Sequence, residues 1–325
     1  MPAEPIDAST ARSGPVVEFG LDYFREHPRV FQTPPDPPVN AVLATTGAHM
    51  YYEVRGDGPG VLLVGCPMDA TAFAPLADLL AVDHTVITTD PRGINRSSVD
   101  DPDQDVTPEM LADDLSQLLN HLSLGPVTVF GSSGGAVSVL ALAQAHPDQV
   151  HTVVAHEPPL EELLEDRAEL RDVTEDIVAT YLSGDVGGAW GKFLASANIT
   201  LSDEDMAQWA SEPTPQAAAD ELFFFAHTLR PSTYWLPDVA ALRAGGTRII
   251  VGLGDESTGQ TCERTSKTLA NSLGTSPISF PGDHVGFTTH PDLFAERLTT
   301  VLSDSSSQPT SGTPGAESQP ESDRQ

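Results

Sequence analysis

The chain has 325 residues, 39% of them hydrophobic, which is enough to bury the core of one or two domains. Its formal net charge of −31, from 16 Lys and Arg against 47 Asp and Glu, disfavours binding to nucleic-acid phosphates and to anionic membrane surfaces. Two cysteines exclude a disulfide-stapled scaffold and a four-cysteine zinc site. The first residues also lack the basic and apolar regions of a secretory signal. We therefore expect a cytoplasmic monomer or homodimer whose partner is a small-molecule substrate, with no nucleic acid and no membrane.

The two ends of the chain differ in composition from its middle. Residues 1–38 are rich in proline, and residues 303–325 are almost entirely small and polar. Such segments cannot bury enough apolar surface to fold on their own. The sequence predicts an N-terminal extension that is partly disordered and a disordered C-terminal tail.

Between these ends, short apolar runs alternate with helical patterns. After a predicted hairpin over 40–55, the runs rich in β-branched residues lie at 60–65, 84–89, 127–131, 150–155, 247–252 and 276–280. Runs without polar alternation are typical of strands that are covered on both faces. Helices are predicted at 107–122, 134–145 and 291–302, the first with Thr107 as its N-cap. The pattern predicts an α/β fold: a mostly parallel central sheet of about eight strands with helices on both faces.

One segment interrupts this alternation. Residues 158–238 contain only helical patterns, together with all three tryptophans of the chain. We expect an all-helical cap inserted after the sixth strand, with the core formed by residues 39–157 and 239–302. Most of the cap's aromatic side chains are expected to fill its own small core.

The sequence Gly131-Ser-Ser133-Gly-Gly135 carries the strongest chemical signal. An apolar strand runs into it and an apolar helix leaves it, so the small residues permit a very tight strand-to-helix turn. Such a turn lifts the Ser133 hydroxyl to its tip, and places the Gly134 N–H at the helix N-terminus, where developing negative charge is favoured. These features indicate a nucleophilic serine.

With this motif the sequence resembles the α/β-hydrolase superfamily over residues 40–302. A second matching block, Thr89-Asp-Pro-Arg-Gly-Ile-Asn95-Arg-Ser-Ser98, is similar to the turn that follows the fourth strand in capped members. Asn95 replaces the usual second glycine and also accepts left-handed backbone angles. The resemblance implies that Asp90 and Arg92 brace the loops around the nucleophile.

The resemblance also implies a base and an orienting acid, in the chain order Ser, Asp or Glu, His. Asp255 follows the strand at 247–252 and is our expected acid, while Glu256 and Glu157 remain alternatives. His284, in the loop after the last strand, is the expected base. Ser133 and Asp255 are 122 positions apart in the chain, which leaves room for the inserted cap.

Related enzymes hold the oxyanion with two backbone N–H groups. By resemblance these are the N–H groups of Gly134 and of Cys66, which lies in the loop after the third strand and precedes a proline. The Cys66 thiol itself is expected to be buried and inert. For the substrate pocket we expect Met68, Phe224 and His227.

The nucleophile position is a serine, not the aspartate of related epoxide hydrolases and dehalogenases, so the resemblance implies acyl chemistry. We expect a serine hydrolase that cleaves an ester, lactone or thioester bond of a small to medium apolar substrate, with no cofactor and no metal. Two alternatives remain. One is a cofactor-independent C–C hydrolase, lyase or peroxidase-like enzyme on the same fold, and the other is a non-catalytic ligand-binding member.

Overall fold

The computed structural model describes residues 37–200 and 213–303. The predicted N-terminal extension up to residue 36 and the predicted tail from residue 304 lie outside these ranges, as does Trp209 of the predicted cap.

The described residues form one nine-stranded sheet. Its strands are β1 (Val39–Thr45), β2 (Ala48–Arg55), β3 (Gly60–Val64), β4 (Thr85–Thr89), β5 (Ser98–Val99), β6 (Val127–Ser132), β7 (Val150–His156), β8 (Arg248–Gly254) and β9 (Ile278–Phe280). They lie in the order β1-β2-β4-β3-β6-β7-β8-β9, with β5 paired to β2. Every pair from β4 to β9 is parallel, and only the pairs that involve β2 are antiparallel. The predicted mostly parallel sheet is confirmed, and the added strand is the two-residue β5.

Helices cover both faces of this sheet. They are α1 (Ala70–Leu80), α2 (Pro108–His121), α3 (Gly134–Ala145), α9 (Thr261–Leu273), α10 (Gly286–Thr289) and α11 (Pro291–Ser303). On one face the apolar sides of α2 and α3 pack against the strands, and on the other α1 and α11 do. The Thr107 hydroxyl accepts the N–H of Met110 at 3.3 Å, which confirms the predicted N-cap of α2.

The segment between β7 and β8 is helical throughout its described part. It contains a 3₁₀ turn (Glu161–Leu163), α4 (Arg167–Leu182), α5 (Val186–Ala197), α6 (Pro215–Phe223), a π-helical turn (Phe224–Thr228), α7 (Leu229–Thr233) and α8 (Val239–Ala244). It has an apolar cluster of its own, in which Tyr181 stacks on Phe225 with ring centroids 4.4 Å apart. Within the described ranges, no helix is long and apolar enough to cross a membrane.

Residues 89–98, the block that follows β4, form hydrogen bonds within the block and to the start of α1. Asp90, fully buried, accepts the N–H of Ala70 at 2.9 Å and thereby fixes the start of α1. It also accepts the Nε–H of Arg96 at 2.7 Å. Asn95 has φ of 49°, the left-handed conformation that its replacement of a glycine requires.

Arg92 forms a buried bidentate pair with Asp114 of α2. Its Nε and Nη2 each donate at 2.7 Å, and the two side chains are 3% and 1% exposed. Nη2 also donates to the carbonyl of Thr46 at 3.1 Å. The pair therefore connects the post-β4 turn, the β1–β2 turn and α2.

Replacing Asp114 by alanine leaves a buried guanidinium without its counter-charge. We expect Asp114→Ala to lower the free energy of unfolding by about 3–5 kcal/mol. Asp113→Ala is the matched control, because Asp113 is the adjacent, exposed residue of the same helix and pairs only with His146. Its removal should cost less than about 1 kcal/mol. Urea denaturation measures both, and equal losses would contradict the assigned role of the buried pair.

Candidate active site

Ser133 lies at the turn between β6 and α3 in a strained backbone conformation. Its φ is 57° and its ψ is −128°, which few residues other than glycine adopt. Its N–H donates to the carbonyl of His156 at 3.0 Å, so the strained turn is tied to the end of the neighbouring strand β7. The predicted tight turn is present in the structure.

The glycines on either side of Ser133 are required by close backbone contacts. A β-carbon on Gly131 would lie 2.5 Å from the carbonyl oxygen of Gly135. A β-carbon on Gly135 would lie 2.2 Å from the carbonyl oxygen of Val64. Backbone rather than side chains occupies both places, so a larger residue would force the turn away from the end of β3.

The imidazole of His284 is held by a carboxylate. Its Nδ1 lies 2.6 Å from Oε2 of Glu157, whose side chain is fully buried. His284 follows β9, while Glu157 directly follows β7. With Nδ1 engaged in this bond, Nε2 is the ring nitrogen left for a proton of a neighbouring group.

Three groups meet at the carboxylate of Glu157. Besides His284, the N–H of Gly254 donates to Oε1 at 2.8 Å and the thiol of Cys262 donates to Oε2 at 3.1 Å. Burial alone would raise the pKa of Glu157, and it is the largest single effect on that group. The hydrogen bond from His284 and the electrostatic effects of His156 and His284 together outweigh it, and they hold this pKa well below its usual range. Glu157 is therefore a carboxylate at neutral pH.

Asp255, the expected acid, does not contact His284 in the structure. It is exposed, and its Oδ1 accepts the N–H of Gly282 at 2.8 Å. Asp255 thus braces the loop that carries His284, and the carboxylate that the structure places against the imidazole belongs to Glu157, one of the two alternatives. The other alternative, Glu256, is exposed as well.

The sequence does not distinguish Asp255 from Glu157 for a simple physical reason. Glu157 and Asp255 each follow a buried parallel strand, β7 and β8, and these strands are neighbours in the sheet. Both carboxylates therefore reach the same edge, and spacing along the chain does not tell them apart. In the structure, the left-handed backbone of Glu157, with φ of 51°, sets this residue apart from Asp255, but this feature cannot be read from the sequence.

The two residues expected to hold an oxyanion lie side by side. A β-carbon on Gly134 would be 2.7 Å from the carbonyl oxygen of Cys66, so the two backbones are in close contact. Gly134 opens α3, where the first N–H groups have no acceptor within the helix. The Cys66 side chain is buried, and burial raises the pKa of its thiol to about 12, as expected of an inert residue.

One cavity contains Ser133, His284, Cys66 and Gly134 in its wall. Counted with its opening to solvent, its volume is about 800 Å³. The cap supplies most of the rest of the wall, including Ile177, Phe193, Phe224 and Leu229. The cavity thus lies between the edge of the sheet, which carries Ser133 and His284, and the cap, which supplies most of the rest of its wall.

Of the three side chains predicted for the pocket, the structure places only Phe224 in this wall. Met68 instead packs against the apolar cluster between α1 and the sheet. His227 lies against Phe223, with its Nδ1 3.2 Å from Oδ1 of Asp105. The structure therefore does not place Met68 and His227 where we expected them, because each belongs to a loop or helix that borders the cavity but presents its side chain elsewhere.

Glu157, Cys262 and His284 are also the one set of potential metal ligands that the described part of the chain brings together. Their ligand atoms lie within 4.8 Å of one another. They already form hydrogen bonds among themselves, and burial raises the pKa of the Cys262 thiol, so a proton occupies the place where a metal would bind.

Comparisons with known proteins agree with this architecture. A family model described as alpha/beta hydrolase fold matches residues 61–184. The uncharacterised hydrolase YraK of Bacillus subtilis (strain 168) is 32% identical over 81% of this chain and 96% of its own length. A zearalenone hydrolase of Bionectria ochroleuca is 28% identical over 79% and 95%. Among solved structures, a thermophilic esterase from Thermogutta terrifontis superposes with a TM-score of 0.59 at 21% identity, covering 82% of this chain and 98% of that one.

The Glu157–His284 hydrogen bond makes a spectroscopic prediction. A proton shared between imidazole and carboxylate resonates far downfield, and we expect such a resonance that His284→Gln removes. Glu157→Gln should abolish or strongly shift it, because the carboxylate acceptor is lost. Asp255→Asn, which removes the same charge and can still accept from Gly282, should leave it in place. A resonance that responds to Asp255→Asn and not to Glu157→Gln would contradict the geometry.

Proposed function

The chain belongs to the alpha/beta hydrolase fold family, and on that premise we propose that it is a serine hydrolase of carboxylic esters or lactones. Ser133 is the nucleophile, His284 the general base and Glu157 the acid that orients it. The proposal rests on one observation: a strained serine and a carboxylate-bound histidine share the wall of one largely apolar cavity.

The reaction follows from the positions of these groups. Ser133 Oγ attacks the carbonyl carbon while His284 Nε2 takes its proton. Glu157 stabilises the imidazolium that forms, and the N–H groups of Gly134 and Cys66 hold the negative oxygen. The imidazolium then protonates the leaving alcohol, which breaks the C–O bond and leaves an acyl group on Ser133. A water molecule then gives a proton to His284 and attacks the acyl carbon. The imidazolium returns this proton to Ser133 Oγ as the acid is released.

The substrate class is inferred from the lining of the cavity. Ile177, Phe193, Phe224 and Leu229 give it an apolar wall suited to an aliphatic or aromatic body. Proteins similar to this chain include an esterase and a zearalenone hydrolase. Together these support cleavage of an ester or lactone in a small to medium apolar molecule, in preference to a strongly charged one.

Activity-based labelling tests this proposal. A fluorophosphonate should label the wild-type protein, and Ser133→Ala should lose both labelling and p-nitrophenyl butyrate hydrolysis, with kcat reduced by roughly 10³-fold or more. Ser132→Ala is the matched control, because Ser132 is the adjacent serine, fully buried, with its hydroxyl 3.2 Å from Nδ1 of His156.

Retained hydrolysis in Ser133→Ala would defeat the proposal. Labelling at Ser133 together with slow ester turnover would favour a related reaction on the same fold, such as C–C cleavage. Tight ligand binding with neither labelling nor turnover would favour a non-catalytic binding protein.

A further inference from the structure

Glu161 places a carboxyl group in the wall of an otherwise apolar and hydroxyl-lined cavity. It lies in the 3₁₀ turn that follows β7, four residues after Glu157. Among the described residues that line the cavity, Glu161 is the only carboxylate, and no lysine or arginine accompanies it. The cavity is therefore chemically asymmetric, with one acidic group that the reaction steps leave unused.

One oxygen of this carboxyl group has no hydrogen-bond partner in the described part of the chain. Its Oε2 is buried and receives no hydrogen bond from any described residue. The adjacent Glu162 shows the contrast, since its carboxylate accepts from the guanidinium of Arg171. Buried polar groups without partners are rare in folded proteins and are concentrated at functional sites. The missing partner is thus expected to come from a bound molecule.

The charges around Glu161 are mostly of its own sign. Burial, with the carboxylates of Glu162 and Asp166, raises its pKa to about 7, and only Arg264 acts against them. The guanidinium of Arg264 is itself bound to Asp166 at 2.6 Å. The environment therefore favours a ligand that brings a proton or a positive charge to this carboxyl group.

We propose that Glu161 is a specificity-determining residue that accepts a hydrogen bond from the substrate. The preferred substrate is then an apolar ester or lactone that carries an O–H or N–H donor, a hydroxyl or an ammonium group, away from the scissile bond. This inference rests on the proposed hydrolase function and deepens it.

The same geometry excludes one substrate class. A substrate carboxylate at this place would meet a second carboxylate in a largely apolar cavity, with no cation in the described wall to separate them. A methyl group would leave Glu161 as unsatisfied as before. The expected order of preference is donor-bearing, then methyl-terminated, then carboxylate-terminated substrates.

Two series of matched esters test the proposal. One is butyrate esters of linear alcohols, and the other is methyl esters of linear acids, each with four to eight carbons and ending in methyl, hydroxyl, ammonium or carboxylate. Chromatography of the products gives kcat/KM. For at least one length we expect the hydroxyl or ammonium ester to exceed the methyl ester by about 10- to 100-fold, as one hydrogen bond to a charged group allows.

Two variants separate the hydroxyl from the ammonium. Glu161→Gln keeps an amide oxygen that accepts from a hydroxyl but loses the charge that holds an ammonium. Glu161→Leu loses both, and should bring the donor-to-methyl ratio to about one. Glu165→Gln is the matched control, because it removes an exposed carboxylate from the same segment and should not change the ratio.

The outcomes distinguish this inference from the function on which it rests. A donor-to-methyl ratio that is unchanged in Glu161→Leu, or a wild-type preference for methyl or carboxylate ends, overturns the role of Glu161 while ester hydrolysis stands. If no ester of either series is cleaved, the proposed hydrolase function fails and this inference falls with it.

Thermal unfolding provides a second measurement that needs no substrate. The pKa of Glu161 is raised in the folded protein, so ionisation destabilises the fold increasingly from about pH 4.5 to about 7 and fully above that. Glu161→Gln should therefore raise Tm at pH 8 and change it little at pH 5. An equal shift at both pH values, or a lower Tm at pH 8, would show that the carboxyl group is already satisfied.

Discussion

The hydrogen bond between His284 Nδ1 and Glu157 Oε2 is the contact on which the arrangement of the site depends. It joins residues 127 positions apart in the chain. Glu157 reaches it because its N–H donates to Gly252 at 3.1 Å and its Oε1 accepts from Gly254, both in β8. A buried carboxylate without these partners would be strongly destabilising. The register of β7 on β8 and the position of the loop after β9 are therefore stabilised together.

Backbone strain at the site is stabilised by the sheet itself. Ser133 and Glu157 both have positive φ, at the ends of the adjacent strands β6 and β7. Each such residue costs on the order of 1–3 kcal/mol. The Ser133 N–H donates to the last residue of β7, and the Glu157 N–H donates to β8, so the parallel hydrogen-bond pattern continues through both strained residues. The side chains of Ser133 and Glu157 therefore project from the edge of the sheet, while the hydrogen-bond pattern of the sheet is kept.

The sequence predicts the sheet and the serine turn well because both have local causes. Apolar β-branched runs mark the long strands, and Gly131 and Gly135 mark the turn through the backbone contacts they permit. The two-residue strand β5 is too short to show any periodicity. The sequence does not tell which of Glu157 and Asp255 meets His284, because both follow neighbouring parallel strands and reach the same edge of the sheet. The directions of the Met68 and His227 side chains could not be predicted either, because side-chain direction in a loop or a π-helical turn depends on packing that spacing does not encode.

Two glutamates four residues apart show that partners, more than burial, decide the charge of a carboxyl group in the turn after β7. Burial pushes the pKa of both Glu157 and Glu161 upward. For Glu157, the hydrogen bond from His284 and the electrostatic effects of His156 and His284 together more than offset that effect, and the group remains a carboxylate that holds the imidazole of His284. For Glu161, the neighbouring charged groups are mostly carboxylates, and its Oε2 has no hydrogen-bond donor among the described residues. Little in the described part of the chain therefore stabilises its negative charge. The turn after β7 thus supplies one carboxyl group that the fold has fully satisfied and one that a bound molecule completes, which separates the chemistry of bond cleavage from the recognition of what is cleaved.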